Sequence, residues 1–269
     1  NRYFRFEVTQ DMVGQTLLCQ VSGIDLQGLY LSYLNTPTPV HFDYYTNNRV
    51  TPNTTDYELV VPALRVGTYY LLLQMGNVSS NYNSLQINTS IVNFDILSVD
   101  AARGANSGSL TPRIRGAKFD TIMDFRLERN GQYIPASKVH IKNSSDAYTT
   151  FDLTDMAPGQ YDVVAELEGG FIASKSQAFT IEEGLPANLN ARIEGPSTVR
   201  VGIVFQASVE YSNTGLTDVP VAGLMVVSRN GHPIAFTTNG LTPSACGLIG
   251  VTTKPPESGI STGPPAASE

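Results

Sequence analysis

In the stretch YFRFEV near the start of the chain, Phe4, Phe6 and Val8 alternate with Arg5 and Glu7. A period of two with one apolar side predicts a half-buried β-strand. Comparable β-forming runs follow at 16–21 (TLLCQV), 29–34 (LYLSYL), 40–45 (VHFDYY), 57–61 (YELVV), 68–74 (TYYLLLQ) and 84–91 (SLQINTSI). Turn-forming stretches such as NTPTP and TNNRVTPNTT separate them. Seven short strands in about ninety residues predict a sandwich or jelly-roll-like domain. No long stretch carries an apolar period of 3.6, so the expected class is all-β.

A second set begins at VNFDILSVD (92–100) and continues through GSLTPRIRGAKF, DFRLERNGQYIPA, VHIKN, YTTFDLT, YDVVAELEG and SQAFTIEEG. Asn130-Gly131 between alternating runs predicts a tight hairpin. In YDVVAEL, Tyr161, Val163, Ala165 and Leu167 fall on one face and Asp162 and Glu166 on the other. After the linker EEGLPAN a third set opens, with LNARIEGPSTVRVG, VFQASVEYSNTG and VPVAGLMVVSRNGHPIAF. It supplies fewer strands than a sandwich needs. The expected organisation is therefore 1–91, 92–183 and a partial 187–240, with 241–269 a Pro/Ser/Gly-rich tail expected to be largely disordered. The predicted class is tandem β-sandwich domains, jelly-roll-like then immunoglobulin-like, in an extended string.

One short pattern occurs twice. RVGTYYLLLQ and APGQYDVVAEL each place a glycine (Gly67, Gly159), one spacer, a tyrosine (Tyr69, Tyr161) and then a run of β-formers. In each case a strand and a tight corner precede it. That is where a sandwich places a corner tyrosine whose hydroxyl bonds back to backbone. The glycine would supply a backbone conformation that side chains resist. A structural device used twice is the reading favoured over a ligand site.

Composition narrows the function. Charged residues make up 15 % of the 269, and the net charge is −7. Lysines are few and scattered, which argues against a nucleic-acid or anionic-membrane surface. Of the two cysteines, Cys19 shares a strand face with Leu17 and Val21 and reads as a small core hydrophobe, and a disulfide with the distant Cys246 is not expected. The chain starts at Asn1 directly before a strand, so it reads as a piece of a longer protein, and no signal peptide or membrane-spanning run is visible in it.

Candidate chemistry is sparse. His41, His140 and His232 fall one in each expected domain, which prevents a His-based triad or His-His metal site within one of them. Asp120 and Asp124, and Asp152 and Asp155, offer oxygens to a structural calcium ion but lack the dense alternation that surrounds one, so turn capping is the preferred reading and no cofactor is expected. Thirteen Tyr and no Trp leave tyrosine as the candidate binding residue. The candidate ligand surface is Tyr30, Tyr33, His41, Tyr44 and Tyr45, centred on HFDYYTNN, with Tyr70 and Tyr82 in the same domain. Strand alternation there predicts Phe42 and Tyr44 on one face and His41, Asp43 and Tyr45 on the other. Sequons stand at Asn53, Asn77, Asn88 and Asn143.

Three resemblances gather around these motifs. YFRFEV, GQTLLCQVSG, LYLSYLNTP and DYELVVPALRVGTYYLLLQ, over residues 2–90, resemble the bacterial pre-peptidase C-terminal domain, with Asp25 standing for the acidic pair common before its third strand. SVDAARGANSGSLTPRIRGAKF, with Thr111, Ile114, Gly116 and Phe119 and then APGQYDVV, makes 92–183 similar to the IPT/TIG immunoglobulin-like fold. GPSTVRVGIVFQASVEYSNTGLTDVPVAGLMV makes 187–240 look like part of a CARDB-type domain. These resemblances imply a large exported bacterial protein, extracellular or at the cell surface. The expected role is a non-catalytic structural or adhesive segment: a spacer, a stalk or filament-forming β-domains. The alternative is a carbohydrate- or protein-binding accessory module of a secreted hydrolase. Expected partners are an extracellular polymer, a surface protein or copies of the chain itself, with no nucleic acid and no membrane insertion in this segment.

Overall fold

Leu17, Cys19 and Val21 on one strand and Leu29 and Leu31 on another bury the same alternate positions that the sequence marks as apolar, and they face one another across a two-sheet sandwich. The computed structural model describes residues 1–23, 26–47, 56–76, 85–184, 186–200, 202–219, 223–227 and 246–250. Asp25, Tyr82, His232, Asn53, Asn77 and most of the tail lie outside them. The chain is all-β. Its compact units are residues 1–100 with 113–149 and 161–179, and residues 101–112 with 150–160 and 180–269.

The first unit opens with β1 (Arg2–Val8), β2 (Thr16–Gly23), β3 (Leu26–Tyr33), β4 (Tyr44–Thr46), β5 (Asp56–Val61), β6 (Gly67–Met75) and β7 (Leu85–Val92). β1-β6-β3-β4 form a four-stranded antiparallel sheet and β5-β2-β7 a three-stranded one. Between them lie Leu29, Leu31, Tyr69, Leu71 and Leu73 from the first sheet and Leu17, Cys19, Val21, Tyr57, Leu59 and Val61 from the second. The Tyr57 hydroxyl donates to the Leu26 carbonyl at 2.7 Å, joining the sheets across this core.

Further strands are β8 (Asp95–Asp100), β9 (Arg103–Ala105), β10 (Ser109–Leu110), β11 (Arg113–Ala117), β12 (Met123–Arg129), β13 (Gln132–Asn143), β14 (Asp146–Asp152), β15 (Gly159–Leu167) and β16 (Ile172–Glu182). These strands follow one hydrogen-bonded path, β8-β11-β14-β13-β12-β15-β16, in which the immunoglobulin-like sets β8-β11-β14 and β13-β12-β15-β16 are joined by the pairing of β14 with β13. The β12–β13 hairpin turns at Asn130 (φ 52°) and Gly131 (φ 78°), both left-handed as a two-residue turn of this kind requires. The runs read as separate strands around Pro135 and Val139 are one twelve-residue strand, β13. Pro135 lies within it opposite Arg126 of β12, with its side chain exposed.

β7 ends at Val92 and β8 starts at Asp95, leaving a connection of only Asn93 and Phe94. Beside it the Pro62 carbonyl accepts from the Thr16 hydroxyl at 2.9 Å and from the Ser144 hydroxyl at 3.0 Å.

In the second unit β9 runs parallel to the end of β16 and β10 pairs with the end of β14. β17 (Leu189–Glu194) pairs with β18 (Ser208–Asn213), and β19 (Gly223–Val227) with β20 (Cys246–Gly250). The turn after β18 is tied to this unit's other loops. Ala105 N–H donates to the Leu216 carbonyl, Asp218 N–H to the Ser109 carbonyl, and the Thr111 hydroxyl to the Asp218 carboxylate at 2.6 Å.

Candidate functional site

Side chains on β3 alternate between the core and the far side of the four-stranded sheet, so Leu29 and Leu31 point in while Gly28, Tyr30 and Ser32 point out. Register then aligns Tyr3 of β1, Leu72 of β6, Tyr30 of β3 and Tyr45 of β4 in one row across the outer face. An outer row is ordinarily polar. Here Leu72 is 0 % exposed, Tyr3 51 % and Tyr45 42 %. The sheet is apolar on both sides, which is why TYYLLLQ shows an unbroken run where one-sided burial would leave alternation.

Tyr30 is the base of this surface. Its ring lies 5.4 Å from Tyr45, nearly parallel at 18°, and 5.3 Å from Phe42. Phe42 and Tyr45 are themselves 5.0 Å apart. Gly28 makes the arrangement possible, because a Cβ there would stand 3.3 Å from the Tyr30 ring and 3.4 Å from the Thr46 carbonyl. The Tyr30 hydroxyl donates to Gln74 Oε1 at 2.8 Å, and burial together with the neighbouring Tyr45 raises its pKa.

The loop leading to β4 is held in shape. Leu34 takes a left-handed conformation (φ 63°) while its N–H donates to the Thr68 carbonyl at 2.8 Å. Thr38 and His41 close a tight turn over Pro39 and Val40 by exchanging backbone hydrogen bonds, and the Thr38 hydroxyl accepts from His41 N–H. The Asp43 carboxylate accepts from Tyr33 N–H at 2.7 Å, and Asp43 N–H donates to the Leu31 carbonyl. A concavity of about 320 Å³ opens here, lined by Ser32, Asn35, Thr36, Val40, His41, Phe42 and Asp43.

This loop corrects the alternation expected over 40–45. The strand begins only at Tyr44, after a bend at Asp43, so Phe42 joins Tyr45 on the outer face and does not share the side of Tyr44. Of the candidate surface, Tyr30 and Tyr45 come together there and His41 lines the adjoining concavity. Tyr33 and Tyr44 turn toward the core. The Tyr33 hydroxyl donates to the Val66 carbonyl at 2.7 Å and its ring lies under the Arg65 guanidinium at 4.8 Å. Burial is the main cause of a raised Tyr44 pKa. Sequence reasoning did not name Tyr3 or Phe42 as members; the alternation of YFRFEV, which sets Tyr3 opposite in phase to Phe4, Phe6 and Val8, was the available signal for Tyr3.

The two corner tyrosines occupy comparable places. Gly67 adopts φ +130° and Gly159 φ +145°. Buried Tyr69 accepts from Arg65 N–H at 3.0 Å through its hydroxyl, and its ring stacks on Phe6 at 5.4 Å. Tyr161 is equally buried, with the Arg129 guanidinium 5.6 Å from its ring centre.

Elsewhere several of the described titratable groups serve local structure. Cys19 is a buried free thiol whose pKa is raised to about 11 by burial. Asp152 caps its own turn through Thr154, which lowers its pKa, and Asp120 accepts from Thr121 in the same way. Asp124 is exposed on β12, and Asp155 N–H donates to the Asn106 carbonyl. His140 lies on exposed β13 with its ring 6.4 Å from Tyr148. Among the described residues no three His, Cys, Asp or Glu stand together as a metal site, and no helix is long and apolar enough to cross a membrane.

No family model matches the chain, and no curated protein does. Among solved structures, the crystal structure of the N-terminal eight Ig domains of Down syndrome cell adhesion molecule, isoform 1.30.30, aligns with 93 % of this chain at 13 % identity and a TM-score of 0.21. The chain spans 33 % of that structure's length.

Proposed function

We propose that this chain is a structural or adhesive segment of a large exported bacterial surface or extracellular protein, without catalysis of its own. The beads of this reading are 1–91, 92–183 and a partial 187–240. The observation that carries it is the junction after β7. Two residues connect one sandwich to the next strand, and the Pro62 carbonyl receives hydroxyls from both sides of that junction. A flexible tether needs the opposite, a longer polar stretch with few bonds across it. The pre-peptidase-like and immunoglobulin-like motifs support the exported setting, and the partners of this reading are an extracellular polymer, a surface protein or further copies of the chain.

Single-molecule energy transfer between dyes at Asp11→Cys and Tyr133→Cys, in a Cys19→Ser and Cys246→Ser background, tests it. One narrow distance population is expected, broadened by Thr16→Val with Ser144→Ala. A broad population in the otherwise unaltered chain would reject the spacer reading.

A second reading, a binding module that accompanies a secreted hydrolase, is favoured by one observation: Phe42 and Tyr45 present their rings to solvent beside a polar concavity. Under that reading the reaction belongs to a neighbouring domain and this surface holds the substrate.

A further inference from the structure

An aromatic side chain at a strand surface is normally absorbed in one of two ways: it packs inward, or it stands alone among polar neighbours. Phe42 and Tyr45 do neither. They lie side by side over Tyr30, with 39 % and 42 % of their surfaces still in solvent. Their support is fixed from below by the Tyr30–Gln74 hydrogen bond and by the missing side chain at Gly28. Flat rings held in place from beneath offer contact area at little entropic cost to a ligand.

The chemistry beside the rings selects among ligands. Of the residues lining the concavity, Ser32, Asn35, Thr36, His41 and Asp43 are polar and only Val40 and Phe42 are apolar. Hydroxyl, amide, imidazole and carboxylate groups give donors and acceptors at the edge of a ring platform. Neither Lys nor Arg lines it, and Asp43 adds a negative charge, so an anionic polymer meets repulsion without a counter-charge. An apolar peptide side chain would desolvate those polar groups without pairing them. A pyranose ring fits both halves, with its C–H face on the aromatic rings and its hydroxyls on the polar wall. At about 320 Å³ the space is at the lower end of ligand sites, suited to one end or one bend of a chain rather than a fully enclosed molecule.

The loop is also built before any ligand arrives. Leu34 is held in a left-handed conformation that costs a branched side chain free energy, the Thr38–His41 turn is closed by backbone bonds, and the Asp43 carboxylate is fixed by Tyr33 N–H. Pre-ordering of this sort reduces the entropy lost on binding.

We infer that Phe42, Tyr45 and the adjoining Asn35–Asp43 loop form a binding site for a neutral oligosaccharide. This rests on the binding role in the two readings above and names the ligand class for it. The full chain is titrated by calorimetry with cellohexaose, chitohexaose, maltohexaose and xylohexaose, and separately with polygalacturonate and with denatured collagen. Saturable binding of a neutral hexaose is expected, weakened at least about tenfold in Tyr45→Ala and Phe42→Ala and kept within about threefold in Tyr45→Phe. Asn35→Ala, in the exposed loop, provides a variant that spares the aromatic stack and should also weaken binding. Thermal melts of each variant separate loss of binding from loss of fold. Neutral sugar binding that is untouched by all these variants would overturn the site, while leaving the binding reading intact. Binding of polygalacturonate or collagen alone, lost in Tyr45→Ala, would overturn the ligand class. Binding of none of these polymers by the folded chain overturns the inference, whereas the spacer reading is decided independently by the energy-transfer experiment.

Discussion

The two sheets of the first sandwich share one core and differ on their outer sides. On the three-stranded sheet the outer row is Glu58, Gln20 and Asn88, with Gln20 Nε2 donating to Glu58 Oε1 at 2.8 Å. On the four-stranded sheet the corresponding layer is Tyr3, Leu72, Tyr30 and Tyr45. Folding explains the first pattern completely, because water satisfies a polar row and the core needs only the inner face. The second pattern adds apolar surface that the sandwich does not require for closure. Of that row, Leu72 and Tyr30 are buried and Tyr3 and Tyr45 remain in solvent, so the layer is half closed by its own packing.

The sharpest way to break this comparison is at Leu72. If the outer aromatic row is a packed layer, Leu72→Ala costs about 2–5 kcal/mol, as much as a core position such as Leu71→Ala, because both are closed off from water. Urea unfolding measures both, and a loss below about 1 kcal/mol for Leu72→Ala would show that the row is only a loose cover.

A smaller effect sharpens the inner side. Cys19 has an ordinary pKa of 9.0 and is raised to about 11 by burial on the inner face of β2. A folded pKa above the unfolded one makes a contribution that is complete below pH 9 and is lost as pH rises toward 11. Stability should therefore fall by about 1 kcal/mol between pH 7 and pH 10 on account of this thiol, and Cys19→Ala should lack that part of the decline. Equal alkaline slopes for the two proteins would mean that water reaches the thiol.

The smallest effect belongs to the polar row. Gln20→Ala removes a partly exposed hydrogen bond and should change unfolding free energy by no more than about 0.5 kcal/mol. A larger loss would erase the contrast between the two outer faces.

Much of the fold was legible because one-sided burial writes itself as alternation. Strands expected at 57–61 and 68–74 are found at Asp56–Val61 and Gly67–Met75, and the Asn130-Gly131 turn lies between paired strands. The three residues of β9 and the two of β10 are too few to produce a period. The outer aromatic layer was hidden for a different reason. Which residues share a row depends on register across four strands, and Tyr3 and Tyr45 are brought into line by backbone pairing rather than by proximity in sequence. Phe42 was hidden because the alternation argument holds only inside a strand, and the bend at Asp43 resets it. Glycine and tyrosine at the two corners could be read early, since φ values of +130° and +145° are a local demand that glycine alone meets easily.

The carbonyl of Pro62 receives hydroxyls from Thr16 and Ser144. A carbonyl belongs to the main chain, so exchanging the side chain at position 62 leaves the acceptor in place, whereas each donor is a side-chain hydroxyl that one substitution removes. The junction thus has an asymmetric mutational profile, tolerant at its hub and exposed at its two spokes. With one spoke lost the other still engages the same oxygen, so the double variant at Thr16 and Ser144 should cost more than the sum of the two single substitutions, and it is there that the coupling between the sandwiches becomes visible to selection.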